Sequence, residues 1–516
     1  MKRDGVLETY WQSEQSFVSK EILQPGSYTD VVIVGGGITG LSTALRLLEA
    51  GFTCTIIEAY QIGFGTTGGT TAHVNTLLEM PYHKIEERFS EDVARDMSVA
   101  VVQAFSSIQH NCSFCADEAD FTKADALILA NDEDQAELLN KIRLSSLKYG
   151  LEIQTAPVPA AFDSIGALSL RNQASFHPIK YIQGLARRIM EKGGIIIENC
   201  RYLDIDESDE KVNLSTSQGE IEASHCVFAT HIPAGSSYLN LLCAPYRSYV
   251  VGVTIRDDCY PAELIYDLED PYHYIRTHTS DGKSILLVGG GDHKTGHDDD
   301  NTKIFDSLIS FAASHFEIDE VLFRWSSQYY ESADGLPYIG TVPGQERQYL
   351  ATGFGGNGMV YGTIASYILE CHIRRCFHPL QHALRPSRVK PIASLKNLVA
   401  ENADVLKEFI AGVVDHRKIE NIDLLKAGEA QVVRYDAKDL AIYRDLDGTL
   451  HALDATCTHA GCKVGFNQAE KSWDCPCHGS RFSIFGEILT GPATEPLKIH
   501  PVSSNPAMET KPTDPT

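Results

Sequence analysis

Two short segments near the C-terminal end set cysteine and histidine at spacings that can hold metal. Cys457 and His459 are separated by one residue, Cys475 and His478 by two. Two thiolates and two neutral imidazoles can hold a [2Fe-2S] cluster, sulfur on one iron and nitrogen on the other. The same ligand types at short spacing also suit tetrahedral zinc. In a mixed cluster, replacing two anionic thiolates by imidazoles raises the potential to roughly −150 to +300 mV, so such a centre accepts electrons readily. Zinc leaves two further cysteines in these segments, Cys462 and Cys477, and the adjoining Gly479-Ser480 without explanation.

Residues 428 to 503 resemble the Rieske family, in the subgroup whose two cluster loops are tied by a disulfide. The resemblance implies one [2Fe-2S] cluster, with Cys457 and Cys475 on one iron and His459 and His478 on the other. It also implies a Cys462–Cys477 bridge. Gly491-Pro492-Ala493 is similar to the loop that covers the cluster in that family, and Trp473 stands where it often has an aromatic residue.

The other end of the chain carries a second redox signature. Val31 to Val34 is apolar, Gly35-Gly36-Gly37-Ile38-Thr39-Gly40 follows, and Leu41, Ala44, Leu45 and Leu48 then recur at helical spacing. This order predicts strand, glycine turn and helix. Gly35 permits the tight turn, Gly37 lets backbone approach a pyrophosphate, and Gly40 lets the helix sit close on the strand. The helix N-terminus offers free N–H groups and partial positive charge to phosphates. A second strand, Thr53 to Ile57, leads to Glu58, 18 residues after Gly40 and placed for ribose hydroxyls.

That motif alone does not separate FAD from NAD. Gly65-Thr66-Thr67-Gly68-Gly69-Thr70-Thr71-Ala72-His73 supplies hydroxyls that could line a flavin. Later come Ala333-Asp334-Gly335-Leu336-Pro337-Tyr338-Ile339-Gly340 and Ala351-Thr352-Gly353-Phe354-Gly355-Gly356-Asn357-Gly358-Met359, followed by a helical pattern from Ile364 to Leu369. Residues 28 to 375 thereby resemble the D-amino-acid oxidase superfamily of FAD-dependent oxidoreductases, which includes sarcosine and glycine oxidases and dimethylglycine dehydrogenase. The resemblance implies FAD contacts at Gly35, Gly37, Ile38, Thr39, Gly40, Glu58, Thr66, Thr67, Thr71 and Ala229. It further implies that Gly353, Gly355, Gly356, Asn357, Gly358 and Met359 lie near the flavin ring, where N–H groups and a helix N-terminus would stabilise anionic reduced flavin. Val227-Phe228-Ala229-Thr230-His231 is similar to the strand that closes the FAD domain, although that family more often has glycine at the position of His231. Both halves together resemble bacterial proteins in which such a flavoprotein is fused to a C-terminal Rieske domain.

The expected architecture is α/β (α+β): a Rossmann-type FAD-binding domain with an antiparallel-sheet substrate domain, followed by a small all-β Rieske domain. The expected bounds are an N-terminal extension at 1–28, the oxidoreductase at 29–375, a linker at 376–427, the Rieske domain at 428–503 and a tail at 504–516. Within the oxidoreductase, FAD-binding parts are expected at 29–80, 171–240 and 331–375, and substrate parts at 81–170 and 241–330. A chain of 516 residues suffices for about three such units. Its 43% hydrophobic and 22% charged content is that of a folded chain with a core. A formal charge of −25 argues against nucleic-acid and anionic-membrane partners. No apolar run approaches the ~20 residues of a membrane helix. Met1-Lys2-Arg3-Asp4 opens a polar stretch without a signal pattern, so a cytoplasmic location is expected. Reducing cytosol usually keeps cysteine pairs open, which sets the implied bridge against that location unless its potential is low.

Other constellations read as structural. Cys112 and Cys115 have redox spacing without a thioredoxin-like context, so two core thiols are expected. His293, His297 and Asp298 could suggest mononuclear iron, yet they stand in a Gly-rich strand end. Cys371, His372, Cys376 and His378 match no zinc template and read as solvated helix residues. Gly289-Gly290-Gly291 starts no helix, so no second dinucleotide site is expected. His73 is the candidate for catalysis. In dimethylglycine dehydrogenase and relatives a histidine after a similar segment is bonded to the flavin, but Ala72 departs from that pattern, and an ordinary buried or active-site histidine is expected.

The expected function is a dehydrogenase that oxidises a small substrate, an amine or amino acid. It would pass electrons singly from reduced flavin to the cluster and on to an external carrier of unknown identity. The alternatives are an electron-transfer or redox-sensing protein without its own organic substrate, or a component of a Rieske-type oxygenase system.

Overall fold

The computed structural model describes residues 5–13, 17, 19–235, 237–297, 301–388, 425–435 and 438–501. Asp298, the expected tail and most of the expected linker lie outside the described residues.

Strand Ser27–Val34, buried from Val31 to Val34, turns at Gly35 into helix Ile38–Glu49, which returns to strand Cys54–Ile57. The helix buries Leu41, Ala44 and Leu45 on its sheet-facing side, as the helical spacing requires. These strands lie in one sheet, in the order Tyr338–Thr341, Gln348–Thr352, Gly219–Phe228, Ser27–Val34, Cys54–Ile57, Ile195–Ile197. All pair in parallel except Tyr338–Thr341. The hairpin of Tyr202–Glu207 and Val212–Thr216 extends the sheet from Gly219–Phe228. Ligands of such sheets bind beyond the carboxyl ends of the parallel strands, where Gly35, Glu58 and Ala229 stand.

A nine-stranded sheet runs in the order Ile318–Ser332, Cys243–Ile255, Lys283–Lys294, Tyr274–Ser280, Leu264–Tyr266, Thr122–Ala130, Gly166–Ser175, His73–Val74, with Ile153–Ala156 also on Gly166–Ser175. It is antiparallel except for one parallel pair, Leu264–Tyr266 on Thr122–Ala130. Two of its strands reach past the bounds read from the sequence. Gly166–Ser175 pairs with Thr122–Ala130 to its end, across a shift of register between Ala124 and Ala126, and His73–Val74 pairs with Ser175 and Ala174. The chain returns to the parallel sheet only at helix Pro178–Glu191, capped by His177. The helical stretch after Pro81 divides at Ser90. Its side chain accepts from Val93 N and starts helix Glu91–Cys112 after Tyr82–Arg88 has ended.

The C-terminal unit consists of two four-stranded antiparallel sheets. Trp473 and Phe482 fill the core between the cluster loops and the sheet. The first part of the expected linker packs on the flavoprotein. Buried Arg388 holds both carboxylate oxygens of Asp334, at 2.7 and 2.8 Å, and lies over the Tyr338 ring. The N-terminal extension is also packed: Trp11 is fully buried and donates its indole N–H to Thr70 O at 2.6 Å.

The units meet through a buried ionic cluster. Arg247, on strand Cys243–Ile255, reaches the Glu470 carboxylate at 2.6 Å. Arg481 of the C-terminal unit binds the same carboxylate and also Asp474 at 3.0 Å. All four side chains are at most 3% exposed. Removing one partner from such a cluster leaves unpaired charge in the interior. Glu470→Ala is therefore expected to destabilise the folded protein by about 3–5 kcal/mol. Chemical denaturation followed by tryptophan fluorescence checks this, and Glu317→Ala, at an exposed pair with Arg256, is expected to change stability by less than about 1 kcal/mol.

Candidate functional site

The first site begins at the glycine turn. Gly35 has φ +114°, and a Cβ there would lie 2.5 Å from Ala229 O. A Cβ on Gly40 would lie 2.0 Å from Gly35 O, so helix and turn come this close only through glycine. No side chain caps the helix at Gly37, and Ile38 N donates to Thr67 Oγ1 at 3.2 Å. The Glu58 carboxylate accepts from Gly36 N at 2.7 Å and Tyr60 N at 2.9 Å. Burial raises its pKa against those two N–H groups. From this end a cavity of about 840 Å³ extends past Thr66, Thr67 and Thr71 to Gly355, Gly356, Asn357, Gly358 and Met359. Every expected FAD-contact residue lines it except Gly40 and Gly353. Gly40 stands behind the turn, and Gly353, at φ +73°, packs against Ser332 and Cys243. A long cavity with a glycine cradle, an open helix N-terminus and a carboxylate at the second strand fits a dinucleotide.

At the far end, Glu79 Oε2 accepts from Gly356 N at 2.9 Å and Tyr272 OH reaches Oε1 at 3.3 Å. Burial pushes the Glu79 carboxyl up to about 7, the Gly356 N–H opposes this, and Asp292 adds to it. Asp292, which accepts from Tyr329 OH at 2.8 Å, is itself pushed up to about 6 by burial. Tyr266, Tyr272, Tyr274 and Tyr329 complete the walls of this half. His73 faces the same space between Tyr266 and Tyr274, with Nδ1 3.0 Å from Thr71 Oγ1. Burial, with Arg276 nearby, pushes it down to about 3 and keeps the imidazole neutral. Neither Glu79 nor Tyr272 was among the expected site residues. Five residues separate Glu79 from His73 without any motif, and Tyr272 arrives from a distant loop just before strand Tyr274–Ser280.

His231 stands at φ +70°, in the left-handed region that explains why glycine is the commoner residue there. Holding a non-glycine residue in it costs about 1–2 kcal/mol. Its ring contacts Tyr330, and Nδ1 lies 3.2 Å from Thr66 Oγ1.

The second site is built from two loops that repeat one design. Gly461 N donates to Cys457 O, and Gly479 N to Cys475 O, each at 3.0 Å. Both glycines have positive φ, +80° and +76°, which the closure of each loop requires. Cys462 and Cys477 join in a disulfide that ties the loops together. This leaves the Cys457 and Cys475 thiols in mutual contact, and the hydrogen bond from Cys475 holds Cys457 below the ordinary thiol range. The rings of His459 and His478 lie 4.8 Å apart at 85°, and the Nδ1 of each is buried without a hydrogen-bond partner. Two adjacent thiols and two unsatisfied imidazole nitrogens fit a two-iron cluster of mixed ligation.

The remaining constellations take other roles. Cys112 and Cys115 are buried free thiols. His293 stacks on Tyr249. His372 Nδ1 lies 3.1 Å from Gln381, and His378 Nδ1 accepts from Leu380 N at 3.2 Å, which finishes the turn after helix Gly358–Ile373.

Fold and sites together define a flavin-dependent oxidoreductase with an attached iron-sulfur module. Residues 30–370 match the FAD dependent oxidoreductase family and residues 416–501 the Rieske [2Fe-2S] domain. The chain belongs to that FAD dependent oxidoreductase family, carries a C-terminal Rieske domain, and has FAD and a [2Fe-2S] cluster as its cofactors. It is 32% identical over 498 residues to the Rieske 2Fe-2S iron-sulfur protein YhfW of Bacillus subtilis, covering 95% of this chain and 97% of that one. It is 23% identical over 374 residues to the gamma-glutamylputrescine oxidoreductase of Escherichia coli, covering 70% and 87%. Among solved structures, glycine oxidase from Geobacillus kaustophilus superposes with a TM-score of 0.60 at 18% identity, over 70% of this chain and all of that one.

Cys475→Ser is expected to lose iron and acid-labile sulfide while retaining FAD, and Gly40→Ala to lose most of its FAD while retaining the cluster. Iron, sulfide and flavin analysis of the purified variants checks both.

Proposed function

We propose that the protein is a dehydrogenase for a small amine that delivers the electrons to its own Rieske centre and from there to an external carrier. The observation that carries this reading is a shared wall. The cavity assigned to FAD is lined on one side by Arg481, Ile488, Leu489, Thr490, Gly491, Ala493 and Thr494 of the Rieske domain. FAD bound there supplies hydride acceptance from a C–H bond beside nitrogen, and the cluster supplies one-electron acceptance.

In this reading the glycine turn, Ile38, Thr39, Glu58, Thr66 and Thr67 hold the dinucleotide, and Gly355 to Met359 border the reacting end. Cys457, His459, Cys475 and His478 hold the cluster. Glu79 and the tyrosines around it bind the substrate. Bringing an ammonium beside Glu79 stabilises the carboxylate form and places the substrate next to the glycine segment. The tyrosine rings supply faces that attract the same cation. His73, held neutral by burial, can share a hydrogen bond with the substrate inside the chamber. The Escherichia coli relative named for an amine substrate supports this choice of class. A cytoplasmic location accords with the many buried free thiols.

Anaerobic titration with amines, monitored in the visible spectrum, tests the reading. A substrate is expected to bleach the flavin and then the cluster bands. If no amine bleaches the flavin and only dithionite does, the electron-transfer reading without an organic substrate replaces it. Glu79→Gln is expected to raise KM for a cationic amine about tenfold, or about 1.4 kcal/mol. Because the Glu79 carboxyl ionises as pH rises through about 7, wild-type KM is expected to fall across that range for an amine that stays protonated. The variant is expected to show no such fall, and steady-state kinetics from pH 6 to 8 check it.

A further inference from the structure

The histidine face of the cluster site is not left to solvent, since the flavoprotein covers it with polar groups aimed at the ligand loops. Asn240, 3% exposed, places Nδ2 3.2 Å from His459 Nε2 and 2.8 Å from Gly235 O. The His459 ring hydrogen-bonds the same Gly235 carbonyl. Asn240 Oδ1 is buried without a partner, so the amide holds an unused acceptor beside the ligand ring. Gly235 N in turn donates to Pro492 O at 2.9 Å, which fastens this segment to the loop over the cluster.

On the His478 side, Gln328 Nε2 donates to Gly479 O at 2.8 Å and to Tyr330 OH at 2.9 Å. Tyr330, fully buried, reaches Gly491 O at 3.2 Å and His478 O at 3.4 Å. A Cβ on Gly479 would lie 2.6 Å from Pro245 Cβ and 2.8 Å from Gln328 Nε2, so the contact is closed to any larger residue. The backbones of these two residues face the other cofactor site. Gln328 O accepts from Thr66 Oγ1 at 2.9 Å, and Tyr330 O from Gly355 N at 2.9 Å.

We propose that Asn240, Gln328 and Tyr330 are positioning residues for the cluster, through which the flavoprotein unit orients its histidine ligands and sets its reduction potential. Hydrogen bonds to ligands and to the carbonyls around them fix ring orientation and tune the metal. Donors near an iron-sulfur cluster stabilise its reduced, more negative state. This proposal rests only on the cluster at Cys457, His459, Cys475 and His478, and is independent of the amine substrate.

The test compares full-length wild type with Asn240→Leu, Gln328→Met, Tyr330→Phe and Tyr60→Phe, each with full iron and FAD content. Tyr60 OH also bonds the Rieske domain, at Ile488 O, but it touches no ligand loop and reports general loosening of the interface. Electron paramagnetic resonance of the dithionite-reduced proteins and redox titration of the cluster are the readouts. The expected result is altered g-values in the first three variants and a lower cluster potential in Gln328→Met and Tyr330→Phe, with Tyr60→Phe matching wild type. Superimposable spectra and potentials across all five proteins overturn the proposal, as does an equal shift in Tyr60→Phe. Should Asn240→Leu fail to take up iron, Asn240→Ser is read in its place against the same two outcomes. A wild type lacking the cluster signal would refute the ligand assignment itself.

Discussion

Glu470 accepts charge from two directions, and the relation between the two redox sites depends on it. Arg247 approaches from the nine-stranded sheet and Arg481 from the Rieske domain, all three out of water. Charges so placed are tolerated only when each meets its partner in good geometry. The paired side chains therefore fix the separation of the units as well as joining them. Once that separation is set, the loop from Ile488 to Thr494 becomes a wall of the FAD cavity, and the loop carrying His478 comes to rest on Gln328.

Both cofactor sites are made largely of backbone. The dinucleotide end offers N–H groups at a glycine turn and an uncapped helix start, and the cluster loops each close on a glycine of positive φ. Backbone groups are fixed by the fold, so they cost little further ordering when a cofactor binds. Side chains add what backbone lacks: two thiols and two imidazoles at one site, and the Glu58 carboxylate at the other.

The half of the cavity beside Glu79 has a different character. Its walls are tyrosines of the nine-stranded sheet and the loop before Tyr274, and burial, with Asp292 nearby, raises the Glu79 carboxyl. A positive charge placed beside Glu79 would favour its ionised form, which burial opposes. Residues Ile488 to Gly491 of the Rieske domain line the same cavity.

Chemistry carried by local spacing was legible in the residues. Gly35 to Gly40, Glu58 and the two Cys-His segments stand where turns of a few residues place them, and short-range sterics decide such turns. The disulfide and the FAD family followed from resemblance to known patterns. Non-local pairing explains what was missed. Gly166–Ser175 keeps to the nine-stranded sheet because Thr122–Ala130 lies beside it, and Arg388 leaves the expected linker because Asp334 is buried within reach. Glu79, Tyr272, Asn240, Gln328 and Tyr330 belong to no motif, and their roles come from strands and loops far apart in sequence. The sequence by itself determined the dinucleotide turn and the spacing of the metal-binding loops, since those depend on neighbours within a few residues. Tertiary structure alone decided which walls enclose the chamber beside Glu79 and which side of the flavoprotein meets the Cys-His loops, because those contacts form only when distant segments are packed together.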